Sequence, residues 1–233
     1  MHIPDGFIDP KLSAGLIGAA AGVLAYCLSR LRESLTVQSP VKALSTGLNT
    51  VTSGKGRVLS RAGENTIYKM GMVAALVFAA QMFNFPIDNG TSGHLIGGVL
   101  AAVLLGPFAG AVVISVVLAV QMLFFADGGV VALGANIVNM AFFGTIVCYY
   151  IYYAIKQVFA EWIAIAAASW ASVILAAFSC GVQIGLSGTI SFGEVVPAMM
   201  KVHAVIGVAE ALITIVLIYI FRSFLPKESP ESE

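Results

Sequence analysis

The chain has 233 residues, of which 59% are hydrophobic and 10% are charged, and its mean hydropathy is +0.94. Soluble domains average about 45–50% apolar and about 25% charged residues, so this composition excludes an ordinary soluble protein and predicts a multi-pass protein of the lipid bilayer. The formal net charge is zero, which argues against a nucleic-acid partner.

Seven apolar stretches are candidates for helices that cross the membrane, since a spanning helix needs about 20 apolar residues. They are residues 11–30, 69–87, 94–106, 108–126, 134–156, 162–186 and 199–224. No charge-rich or proline-rich linker separates them after residue 69. We therefore predict a single integral membrane domain over residues 1–233, folded as an all-α, compact bundle of seven transmembrane helices.

Two of these stretches have unusual features. In span one, small residues at four-residue spacing let another helix approach closely, either within the bundle or from a partner subunit; they are Ala14, Gly18, Gly22 and Ala25. Span three lies between Gly93 and Gly106 and is only about 18 Å long, against a hydrocarbon core of about 30 Å. We expect it to be short and sheltered, or to form a re-entrant hairpin with span four.

Basic residues are distributed unevenly between the predicted loops. Those associated with the connections after spans one, five and seven are Arg30, Arg32, Lys42, Lys55, Arg57, Arg61, Lys69, Lys156, Arg222 and Lys227. Only Lys11 and Lys201 lie at the other ends of the spans. The positive-inside rule then predicts an outer N-terminus, a cytoplasmic C-terminus and tail at 225–233, and a polar, basic cytoplasmic connection at 31–68 that is either an interfacial helix or a solvated loop.

His2 directly follows the initiator methionine in a chain with three histidines. The Met1 α-amine, the His2 amide nitrogen and His2 Nδ1 can close two chelate rings around one metal ion in nearly one plane. This geometry suits Ni(II), Cu(II) or low-spin Co(II) better than tetrahedral Zn(II). No A-x-A-like cleavage site follows, so we expect Met1 to stay. The turn and apolar residues of IPDGFIDP predict a terminus that is held against the protein.

The fourth position of this plane requires another donor, and two histidines remain. His94 lies in the glycine-rich loop GTSGHLIGG, on the same predicted side as Met1. His203 lies near the outer end of span seven, so proximity alone does not exclude it. Structural hydrogen bonding is a further use for either ring.

Several motifs in chain order resemble one membrane protein family. They are MHIPDGF, FAAQMFNFP, GTSGHLIGG, LLGPFAGAVV, FADGG with ALGANIVNM, and HAVIGVAEALIT. Together they resemble the cobalt/nickel-specific membrane subunits, the CbiM/NikM family, of energy-coupling-factor transporters. The stretch from about 31 to 68 departs from the resemblance and aligns with none of these motifs.

The resemblance implies a substrate-capturing S-component with seven helices in the cell membrane of a prokaryote, linked to cobalamin biosynthesis or nickel use. It implies Ni(II) or Co(II) as transported substrate, held by Met1, His2 and His94. Its implied partners are a coupling transmembrane subunit, a pair of ATPase subunits and often a small auxiliary membrane subunit. No organic cofactor is expected.

Glu210 lies near the middle of span seven, where leaving a carboxylate ionised in lipid costs at least about 2.5 kcal/mol. Three roles are open: hydrogen bonding to amides on neighbouring helices, orientation of a metal-binding histidine, or proton coupling. The amides considered are Asn136, Asn139, Gln81 and Gln183. His203, Glu210, Asn136, Asn139 and Gln81 are therefore the residues expected to support the metal ligands from behind.

The sequence lacks a G-x-x-x-x-G-K-[ST] phosphate loop and an H-E-x-x-H pair, so we expect a transporter subunit that is not an enzyme and does not hydrolyse ATP itself. The leading hypothesis is capture of Ni(II) or Co(II) for ATP-driven uptake. An alternative is a proton-coupled secondary carrier for a small solute that uses Glu210 and His203. A haem protein using two of the histidines is a third, weaker alternative.

Overall fold

The computed structural model describes residues 2–44, 51–82, 84–87 and 91–224 as seven helices and two antiparallel hairpins. The helices are α1 (Pro10–Leu35), α2 (Arg61–Gln81), α3 (Gly98–Leu105), α4 (Pro107–Phe125), α5 (Leu133–Lys156), α6 (Glu161–Leu186) and α7 (Phe192–Phe224). The hairpins pair β1 (Thr36–Leu44) with β2 (Val51–Leu59), and β3 (Asn84–Ile87) with β4 (Thr91–His94). The middle of α5, Val138–Val147, is π-helical.

Five of the described helices are long and apolar enough to cross a membrane: α1, α4, α5, α6 and α7. They match predicted spans one, four, five, six and seven. Helix α3 has 8 residues and covers about 12 Å at about 1.5 Å per residue, so it is too short to cross alone. Its first five residues are buried, and it turns into α4 at Gly106, which has a φ of 84°.

The predicted ends of two spans are wrong. Helix α2 begins at Arg61 rather than residue 69, because the Ser60 hydroxyl caps it by accepting from the Gly63 amide at 2.9 Å. It stops at Gln81, and residues 84–87 form β3 instead of its last turn. Helix α7 begins at Phe192 rather than at residue 199. The prediction missed its first turns because they carry Glu194 and Pro197, which a criterion of apolar composition excludes.

The all-α prediction misses both hairpins, and the connection predicted at 31–68 is correspondingly shorter. Helix α1 continues to Leu35, and β1 and β2 replace both the interfacial helix and the irregular loop considered above. The β-branched residues at both ends of the hairpin favour strands, but the polar residues between them conceal the pattern. Residues 45–50 and the predicted tail at 225–233 lie outside the described residues.

The helical bundle has two ends, which differ in the contacts that their residues make. At the end called here the histidine end, residues 2–9 meet the loop at 126–132 and the turn at 187–191, through contacts such as Thr189 Oγ1 donating to the Phe7 carbonyl at 2.8 Å. At the opposite end, Glu161 pairs with Lys156 at 3.0 Å and Arg222 at 3.1 Å. Between these ends, α3 and α5 are in close contact at Gly98. A side chain at this position would collide with the Gly144 carbonyl, so the close approach requires glycine.

Candidate metal centre

The chain before α1 is fixed on the histidine end by the Asp5 carboxylate. It accepts from three consecutive backbone amides that precede α5, those of Val130 at 3.0 Å, Val131 at 2.8 Å and Ala132 at 3.3 Å. An ionised acceptor on several backbone N–H groups forms strong hydrogen bonds. The expectation of a held N-terminal segment is therefore confirmed for the described residues that start at His2.

Asn136 holds the peptide unit immediately after His2. Its Oδ1 accepts from the Ile3 amide at 2.9 Å, and its Nδ2 donates to the Ile3 carbonyl at 3.2 Å. The Gly129 amide also donates to this carbonyl at 2.9 Å. Ile3 is completely buried, so the backbone that carries His2 is fixed from both sides. Asn136 thus supports the predicted site by holding the backbone next to His2 rather than by hydrogen bonding to an imidazole ring.

The structure brings His2 and His94 together. Their rings are stacked, with centroids 4.3 Å apart and an interplanar angle of 19°, and the two residues are 4% and 0% exposed. His94 Nδ1 lies 2.7 Å from the Leu95 carbonyl, which can only accept, so this nitrogen carries the proton. In the part of the chain that the structure describes, His94 Nε2 is buried without a hydrogen-bond partner, and it keeps its lone pair available.

Burial keeps both of these imidazoles in the form that binds metals. It lowers the pKa of His2 below 6.5, although the neighbouring Asp127 and Gln121 partly offset the effect. Burial also lowers the pKa of His94 well below 6.5, and the nearby His2 and His203 lower it further. Both rings are therefore neutral at pH 7, as metal coordination requires.

Two residues at this site were not predicted from the sequence. Asp127 Oδ1 lies 3.1 Å from His2 Nδ1, and this contact lowers the pKa of the Asp127 carboxyl. Gln121, near the end of α4, is fully buried, and neither polar atom of its side-chain amide has an aligned hydrogen-bond partner among the described residues. A lone glutamine in the apolar run AVVISVVLAVQMLFF is a signal that could have found it, since an unpaired buried amide is costly.

His203 is also buried, but it occupies a different position from His94. It lies on α7, where Nδ1 is 2.7 Å from the Met199 carbonyl one turn earlier. Its Nε2 has no hydrogen-bond partner within residues 2–44, 51–82, 84–87 and 91–224. Among the described rings, His94 is the one stacked on His2.

Glu210 and Gln81 hold the backbone that follows His94. The Glu210 carboxyl accepts from the Ile96 and Gly97 amides, both at 2.8 Å, and is 1% exposed. Gln81 Nε2 donates to the Ile96 carbonyl at 2.6 Å. The hydrogen bonds from Glu210 to side-chain amides, one of the three roles considered above, are not observed in the described part of the chain, and the acid instead holds two backbone amides of the loop just before α3.

Asn139 lies apart from this group. Its side chain and that of Gln183 exchange hydrogen bonds of 3.0 and 2.7 Å, which join α5 to α6. Within the described residues, no group of three or more His, Cys, Asp or Glu side chains is arranged to hold a metal ion. A site built on His2 and His94 needs donors other than such a cluster, and Met1 lies outside the described residues.

Comparison with known proteins points to metal uptake. Residues 2–228 match the CbiM family model, described as the cobalt uptake substrate-specific transmembrane region. A putative fused nickel transport protein, NikMN, of Archaeoglobus fulgidus is 40% identical over 216 residues, which are 92% of this chain and 63% of that protein. The chain thus spans less than two thirds of this relative.

Two other similarities cover most of both chains. A cobalt transport protein CbiM of Clostridium tetani is 25% identical over 98% of this chain and 87% of its own length. The crystal structure of a truncated transition metal transporter has a TM-score of 0.79 at 27% identity, covering 96% of this chain and 99% of that one. The helical bundle is thus shared with a solved transporter structure.

Proposed function

Because the chain belongs to the CbiM family, we propose that it is the substrate-capturing subunit of an ATP-driven uptake transporter for Ni(II) or Co(II). It has similarity to proteins named for transport of each metal. The observation that carries the proposal is the buried pair of neutral imidazoles at the histidine end, one of them, His2, being followed by backbone that Asn136 holds in place.

We propose that the metal is bound by the Met1 amine, the His2 amide nitrogen, His2 Nδ1 and His94 Nε2. Two imidazoles bound side by side in one plane, with bonds of about 2.0 Å, have ring centroids roughly 4.4 Å apart. The observed separation of 4.3 Å is close to this value. Rotation of the rings about Cβ–Cγ turns their nitrogens toward a common ion and moves the centroids little.

We also propose that the histidine end faces outward and that seven helices lie in the membrane. Lys11 and Lys201 are the basic residues near this end, whereas Lys156 and Arg222 are at the opposite end, as the positive-inside rule requires. The metal would then enter from outside and be released inward by partner subunits that hydrolyse ATP.

The coupling transmembrane subunit is proposed to dock on α1. Only 17% of an apolar 18-residue stretch of this helix is buried, and Gly15, Gly18 and Gly22 each have open space where a side chain would be. Small residues on an open face allow close approach of a second helix in a membrane. This favours the partner-docking alternative for span one over packing within the same bundle.

The test is a titration of the purified chain, with an untagged N-terminus, with Ni(II) and Co(II). Four planar nitrogens around Ni(II) give a yellow, diamagnetic complex. One residue added before Met1, or α-acetylation, should abolish this band, while Glu210→Gln should only weaken binding. A proton-coupled carrier would show the reverse pattern, and retention of the band after acetylation would refute the proposed chelate.

A further inference from the structure

The loop that follows α4 presents Asp127 to His2 by means of an unusual backbone conformation. Ala126 has a φ of 54° and is the one non-glycine residue with positive φ in the described parts of the chain. Such a conformation is strained in a residue with a side chain and persists where the surrounding structure imposes it. Here the amides of Ala126 and Asp127 both donate to the Gln121 carbonyl, and this directs the next side chain toward the site.

Gly128 completes the loop on the other side of Asp127. It has a φ of 97°, and a Cβ there would come 3.1 Å from Asn136 Nδ2 and 3.5 Å from His2 Cβ. The loop therefore packs directly on the residue that carries the predicted chelate. A strained alanine on one side of the acid, and a tightly packed glycine on the other, indicate that the position of Asp127 matters.

The contact between Asp127 and His2 does not have the geometry of a hydrogen bond. Oδ1 lies 3.1 Å from Nδ1, yet neither ring nitrogen of His2 has an aligned hydrogen-bond partner among the described residues. The oxygen is thus displaced from the direction in which Nδ1 binds a proton or metal. Two ligands at right angles, with bonds of about 2.0 and 2.2 Å, lie roughly 3.0 Å apart. The observed distance fits an oxygen above the plane of a metal held by Nδ1.

The two metals differ in what they accept at this position. Planar Ni(II) with four nitrogens has its axial positions electronically closed, whereas low-spin Co(II) has an unpaired electron along that axis and takes a fifth ligand. Deprotonation of the His2 amide leaves one positive charge on the complex. The carboxylate of Asp127, which is 24% exposed, would bring the loaded site to neutrality without a deeply buried charge.

Resting on the proposed function, we propose that Asp127 is the metal-selectivity residue of this site, an axial oxygen ligand to Co(II) that stays unbonded beside Ni(II). The Asp127 carboxylate pairs with His2, and its partial exposure leaves it room to follow the ring as it turns onto the metal. The remaining ligands are the four nitrogens already named.

The test compares Co(II) and Ni(II) affinities of the wild type, Asp127→Asn and Asp127→Glu under anaerobic conditions. We expect Asp127→Asn to weaken Co(II) binding about tenfold or more and Ni(II) binding less than about threefold. The electron paramagnetic resonance spectrum of bound Co(II) should change its g values and cobalt hyperfine splitting. Glu194→Gln, at an exposed acid in the first turn of α7, is the control and should change none of these.

Each outcome has a defined meaning. Equal losses for the two metals, or an unchanged Co(II) spectrum in Asp127→Asn, would overturn the axial role while leaving the proposed function intact. If Asp127→Asn does not fold, Asp127→Glu decides: an altered ratio of Co(II) to Ni(II) affinity with a shifted Co(II) spectrum supports the role, and a wild-type ratio and spectrum contradict it. If the uncapped wild type binds neither metal, the proposed function fails and the inference falls with it.

Discussion

Glu210→Gln tests whether α7 controls the position of His94. The substitution preserves size but leaves one acceptor oxygen for two backbone donors, the amides of Ile96 and Gly97, which now lie at 2.8 Å. A hydrogen bond contributes about 0.5–1.5 kcal/mol net, and a buried backbone amide left without an acceptor costs about 1–3 kcal/mol. Each 1.4 kcal/mol corresponds to about a tenfold change in a binding constant, so the upper limit is roughly a hundredfold.

We expect about a tenfold loss of Ni(II) affinity in Glu210→Gln, since part of the cost will reduce the stability of the fold instead. The planar Ni(II) band should keep its wavelength, because Glu210 is not a ligand. The assay is a Ni(II) titration followed by absorption, with a melting curve of the metal-free protein. Glu210→Asp, shorter by one methylene group, should lie between the wild type and Gln in affinity if one of the two bonds re-forms.

Gln183→Leu is the matched control for this experiment. It breaks the buried amide pair with Asn139 and should lower the melting temperature by an amount comparable to Glu210→Gln. This pair joins α5 to α6 and makes no hydrogen bond to residues 94–97, so Ni(II) affinity should stay within about twofold of the wild type. If both variants lose stability and both keep affinity, the reasoning that Glu210 positions His94 is refuted.

Three further predictions concern other residues. Gln121→Leu removes a buried amide without partners, so it should stabilise the metal-free protein by about 1 kcal/mol in denaturation while weakening metal binding. His94→Gln should eliminate the planar Ni(II) band, whereas His203→Gln should retain it. If only His203→Gln loses the band, His203 rather than His94 is the fourth ligand. Gly18→Leu should leave metal titrations unchanged and reduce both partner co-purification and uptake in the assembled transporter, whereas Val205→Leu, on an exposed face of α7, should change neither.

The sequence predicts the helical bundle well because membrane helices are specified by composition. Five of the predicted spans correspond to helices long and apolar enough to cross, with most ends within a few residues. The β1–β2 hairpin was not predicted, because a strand pair at the end of a bundle depends on how the two chain segments meet. Here Ser60 and Gly63 pack on the Leu35 carbonyl, a contact between residues 25 and 28 positions apart in sequence.

For the site, as for the fold, the sequence predicts features that depend on local chemistry and does not predict those that depend on how distant segments pack. His2 could be identified because its chelating ability is local, requiring only the residue before it and its own backbone. Glu210 could be recognised as important from its position in an apolar helix, but its action through two backbone amides depends on how α7 packs against the loop before α3. Spacing along one helix contains no information about that loop.

Asp127 illustrates the limit most clearly, because its role depends on backbone dihedral angles rather than on residue type. An acid beside two glycines in FADGG is an ordinary turn sequence, and it predicts only an exposed carboxylate. What places its oxygen 3.1 Å from His2 Nδ1 is the left-handed conformation of Ala126, a residue with no intrinsic preference for it. That conformation is imposed by the end of α4 and by the packing of Gly128 on Asn136, contacts that exist only once the helices have assembled.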